Sequence, residues 1–201
     1  MGNSISTEVV EERLRTHDAE SSRWEPVTVA RLIGFGAGLA GFLALVYLSE
    51  RGFIHLIDDA NLLFHEAGHP IVGLFSRRLE PYGGTFGQLF FPAVLMVKFW
   101  RAGQPLSFAG SGIWFFENFL NISRYMADAR ALALPLVGGG DHDWNTIFSR
   151  WGVLMRDEQI ARSVQFAGWI GIGAMCVWVL WRAYRDRGRA PEEIGANWPM
   201  P

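Results

Sequence analysis

From Leu32 to Leu48 the chain runs 17 residues without a charged side chain, between Arg31 and Glu50-Arg51. A helix of about 20 apolar residues spans a bilayer, because in lipid each backbone N–H and C=O must find its partner inside the segment. The run predicts a membrane-crossing helix. Gly34, Gly36, Gly38 and Gly41 within it suit either a plain anchor or a helix that lets neighbours approach closely. A second run, Ile160 to Trp181, carries one charge, Arg162, and is followed by Arg182, Arg185, Arg187 and Arg189. Arginines on that flank place the C-terminus in the cytoplasm.

Three further apolar segments lie between these runs: Ile54–Phe75, Thr85–Trp100 and Pro105–Ile122. Hydrophobic residues make up 50% of the chain and the net charge of −2 is gathered at the ends and connectors, the layout of a membrane protein. The expected fold is all-α: a polytopic transmembrane helix bundle of four to five membrane segments, one of them re-entrant. Thr85–Trp100 or Pro105–Ile122 takes the re-entrant role, the former being preceded by Gly83-Gly84 and interrupted by Pro92. Putting Arg77 and Arg78 on the cytoplasmic side with the C-terminus then requires an even number of crossings.

The expected division is a polar N-terminal segment at 1–27, a membrane-embedded domain at 28–185 with a polar connector at 123–158, and a C-terminal tail at 186–201. The polar start precedes the first apolar run, which is not the order of a signal peptide, so that run is expected to stay as an anchor. Gly2 with Ser6 also fits an N-myristoylation pattern. Lys98 is the sole lysine and the arginines form no basic face with interleaved aromatics, which argues against nucleic acid. The expected partner is the lipid bilayer, at an inner or plasma membrane. Cys176 alone allows neither an internal disulfide nor a cysteine-based zinc site.

The chemistry concentrates in His65-Glu66-Ala67-Gly68-His69. On a helix, positions i and i+4 lie on one face, so two imidazoles can reach one Zn²⁺ while the glutamate beside the first acts on its water. Random order of this composition predicts roughly 0.007 such patterns in the chain. Two imidazoles and a carboxylate inside an apolar helix cost enough on insertion to mark a functional site. Pro70 follows at once and leaves the Glu66 carbonyl without its helical N–H, so a bend is expected at the motif.

A catalytic zinc usually has three protein ligands and one open position. His17 lies in the polar start and His55 at a segment end, which leaves Asp128 and His142 as the main candidates, with Asp141, Asp143 and Glu117 as alternatives. Asp128 follows a membrane segment and can turn back; His142 follows Gly138-Gly139-Gly140, a stretch able to carry an imidazole inward.

The HEAGH motif in an apolar segment, Gly83-Gly84 some fifteen residues later and the run from Asn121 to Asp128 together resemble the site-2 protease group of intramembrane zinc metallopeptidases. The resemblance covers residues 54 to 130. It implies that His65 and His69 bind zinc, that Glu66 is the catalytic base, that Asp128 is the third ligand and that the substrate is a membrane-protein or peptide segment cut in or near the bilayer. Asp128 is followed by Ala129-Arg130 where that family has glycine, which keeps His142 as an alternative. Two other functions suit the same residues: a membrane zinc hydrolase acting on a lipid or small amide, and a non-catalytic metal-binding or pseudo-enzyme subunit that serves a partner membrane protein.

Overall fold

The computed structural model describes Val9 and residues 24–49, 55–136 and 141–187. Most of the polar start with its Gly2 pattern, the glycines at 138–140 and the tail beyond 187 lie outside these residues. The described residues form six α-helices and no strand: α1 (Val29–Leu48), α2 (His55–Gly73), α3 (Glu80–Arg101), α4 (Pro105–Ala127), the short α5 (Asp143–Trp151) and α6 (Asp157–Asp186), with a 3₁₀ turn at Leu154–Arg156 before α6. Two helical stretches, Val29–Leu48 and Leu154–Asp186, are long and apolar enough to cross a membrane.

Local sequence accounts for the boundaries. Thr28 caps α1 by accepting the Arg31 N–H, while Pro81 and Pro105 occupy the first turns of α3 and α4, where a missing N–H costs nothing. Gly152 ends α5 in the left-handed conformation at φ 67°, which a side chain would strain.

Neither segment expected to be re-entrant is broken: α3 runs continuously from Glu80 through Gly83, Gly84 and Pro92, and α4 from Pro105 to Ala127. The glycines are there for close approach, not for a break. Gly68 of α2 meets Gly83 and Gly87 of α3 backbone to backbone, so α2 and α3 pack as a tight antiparallel hairpin. The helix α2 also continues through Pro70 to Gly73. Helices α3, α4 and α6 then run antiparallel in turn: Gln88 faces Asn118 and Trp100 faces Phe108, while Gly112, Gly168 and Gly171 admit Met175, Leu120 and Phe116 between α4 and α6.

The expected polar connector contains structure of its own. Its start is the last turns of α4, and α5 is seated by a core of Ile122, Met126, Ala129, Trp144, Ile147, Phe148 and Ala161. At this end of the bundle Arg150 donates to the Arg78 carbonyl. At the other end Trp24 packs on Trp100, Phe108 and Trp178, and the Val27 N–H meets Asp186. The Arg77-Arg78 turn therefore lies at the opposite end from the C-terminal arginines, against the expectation that both share one side.

Helix α1 buries no residue, and its four glycines meet nothing within 4 Å. Among the described residues it packs as neither a hairpin partner nor a core helix. On α3, Phe86, Phe90, Val94 and Val97 form an exposed apolar stripe, while Asp58, Asn61, Gln88, Glu117 and Asn118 are buried among the helices alongside the apolar core. An apolar exterior around a polar interior is the arrangement that suits a hydrocarbon solvent.

Candidate metal centre

His65 and His69 stand one turn apart on α2 and face the same way, with ring centroids 4.9 Å apart. The α5 core brings Asp143, the first residue of that helix, against both. Its Oδ2 lies 2.9 Å from His65 Nε2 and 3.3 Å from His69 Nε2. These three groups offer ligand atoms all within 4.8 Å of one another, and among the described residues they are the group able to hold a metal ion. A donor set of two imidazoles and a carboxylate fits zinc and other divalent transition ions.

Each imidazole is held from behind. His65 Nδ1 lies 2.8 Å from Gln88 Oε1 on α3, and His69 Nδ1 lies 2.9 Å from the backbone carbonyl of Glu80 at the start of the same helix. With Nδ1 turned to an oxygen, Nε2 of each ring is directed at the centre. Gly84 makes this possible, because a Cβ at that position would collide with the His65 ring. The backbone N–H of Asp143 donates to the Tyr125 hydroxyl at 3.2 Å, which fixes the start of α5 over the histidines. Burial alone would push the Asp143 carboxyl up, but the two facing imidazoles outweigh it and hold it below the usual carboxylate range. The group is thus kept ionised, as a ligand must be.

Asp128 and His142 do not join the centre; they pair with each other, His142 Nε2 standing 3.5 Å from Asp128 Oδ2. The reason is local hydrogen bonding. Asp128 follows the last residue of α4 and accepts the N–H groups of Ala133 and Leu134, at 3.0 Å each, which folds residues 129–134 back on the helix end. His142 is the N-cap of α5, its Nδ1 accepting the Asn145 N–H, and burial pushes its imidazole pKa down so that the cap stays neutral. The neighbouring Asp143 faces the two imidazoles instead. Asp141 lines the adjoining cavity without entering the group, and Glu117 is bonded to Asn61 elsewhere in the bundle. His55 is exposed at the start of α2.

A half-open cavity of about 830 Å³ lies over the centre, lined by His65, Glu66, His69 and Asp143 on one side and Leu134, Pro135 and Leu136 on another. Glu66 is half-buried on its wall. Comparison with protein-family models, curated proteins and solved structures returned no match. Gln88 and Asn118 belong to no motif, Tyr125 falls within the Asn121–Asp128 run, and none of the three was among the residues expected at the site. One signal did point to Gln88: it is the lone side-chain amide between Thr85 and Trp100, a polar group in an apolar stretch like those that mark α2.

Proposed function

We propose that this chain is a membrane-embedded zinc metallopeptidase in which His65, His69 and Asp143 hold the metal and Glu66 is the general base. The observation that carries the reading is the convergence of two imidazole nitrogens and one carboxylate oxygen within 4.8 Å, on the wall of a cavity that Glu66 shares. A zinc ion there would polarise the scissile carbonyl and lower the pKa of a bound water toward about 7. Glu66 takes the proton of the attacking water and passes it to the leaving nitrogen. Leu134, Pro135 and Leu136 offer the apolar wall against which a peptide segment can lie.

The membrane setting rests on the two long apolar helices and on the exposed apolar stripe of α3. With α2, α3 and α4 as further membrane segments, the centre lies near one face of the bilayer, because His69 meets Glu80, the residue that opens α3. We take the arginine-flanked end of α6 as the cytoplasmic one. Glu66→Gln should retain the metal and lose at least about 10²-fold in turnover of a membrane-peptide substrate. Peptidase assays and metal analysis on the same preparation check this; undiminished turnover would remove Glu66 from the reaction.

A further inference from the structure

We propose that Gln88 and Asn118 are positioning residues of the metal centre, which lock the His65 proton on Nδ1 so that Nε2 presents its lone pair to the metal. The inference rests on the metal reading above and adds residues that the motif does not contain.

The chain of hydrogen bonds begins at a backbone carbonyl, a group that can only accept. Asn118 Nδ2 lies 3.0 Å from the Trp114 carbonyl, so the amide nitrogen must be on that side and Oδ1 on the other. Asn118 Oδ1 then accepts from Gln88 Nε2 at 3.1 Å, which turns Gln88 Oε1 toward His65. His65 Nδ1, at 2.8 Å from that oxygen, must carry the proton. The 2.9 Å approach of Nε2 to Asp143 Oδ2 needs a proton or a metal ion between the two atoms, and with a metal there the neutral ring gives it the Nε2 lone pair. The polarity of each bond is dictated by the one before it.

Burial makes the relay hard to bypass. Asn118 is 0% exposed, Gln88 3% and His65 7%, so water has little access with which to offer an alternative partner. His69 needs no such relay, because the Glu80 carbonyl performs the same task directly. The two ligands therefore differ: one is oriented by backbone and one by side chains that substitution can remove.

The test is zinc competition titration of the full chain in detergent, with the absorption spectrum of the Co²⁺-loaded protein as a second readout. Gln88→Leu should weaken zinc binding by roughly 10–100-fold and alter the Co²⁺ bands. Gln88→Glu, which keeps an oxygen facing Nδ1, should restore both toward wild type. Helical circular dichroism identifies variants that fold. Wild-type affinity and spectrum in a folded Gln88→Leu protein would overturn the inference, as would a Gln88→Glu protein as weak as Gln88→Leu. Failure of the wild type itself to bind zinc or Co²⁺ would instead overturn the metal reading.

Discussion

Asp143→Ala should leave the purified protein without stoichiometric zinc, whereas Asp128→Ala should retain it. Asp143 supplies the one carboxylate oxygen that faces both imidazoles, so in the proposed centre its loss removes a direct ligand. The affinity should fall by more than the roughly 10–100-fold that loss of an outer-shell partner costs. Asp128 has a different task, holding the Ala133 and Leu134 N–H groups. Its removal should cost about 1–3 kcal/mol of stability through unpaired backbone groups, with the metal still bound. Elemental analysis and thermal unfolding of the two variants measure both effects. Loss of metal in Asp128→Ala with retention in Asp143→Ala would reverse the assignment.

The second large effect is steric. A Cβ at Gly68 would overlap the Gly83 carbonyl, and one at Gly83 would lie 2.5 Å from the Gly68 oxygen and 2.9 Å from the His69 Cα. Both obstacles are backbone, so no side chain can swing aside and the hairpin must open. Gly68→Ala should cost about 1–3 kcal/mol, with weaker zinc binding because His65 and His69 flank the contact. Gly110 and Gly173 are helical positions with nothing within 4 Å, so alanine there should be neutral or stabilising by up to about 1 kcal/mol. Thermal unfolding of the Gly68, Gly83, Gly110 and Gly173 variants separates packing from helix propensity. Equal stability for Gly68→Ala and Gly110→Ala would show that the helices do not cross as closely as described.

The helical class and the motif were legible in the sequence because each depends on local pattern. Uncharged runs mark helices that tolerate lipid, and the i, i+4 spacing puts His65 and His69 on one face wherever that helix goes. The carboxylate that faces the two histidines was not legible in the same way. Asp128, His142 and Asp143 are all polar residues near a helix end, and which one faces the histidines depends on two capping choices: Asp128 folds back on α4, and His142 caps α5. The glycines at 83 and 84 were visible but suggested a break, whereas packing against Gly68 and His65 keeps them helical. Gln88 and Asn118 escaped notice because a lone amide acquires meaning only from what it faces.

Zinc K-edge absorption on the purified full-length chain tests the central claim most directly. One zinc per chain is expected, with two imidazole nitrogens and oxygen donors at about 2.0–2.2 Å. A folded chain without stoichiometric metal, or a bound ion lacking imidazole in its shell, would contradict it.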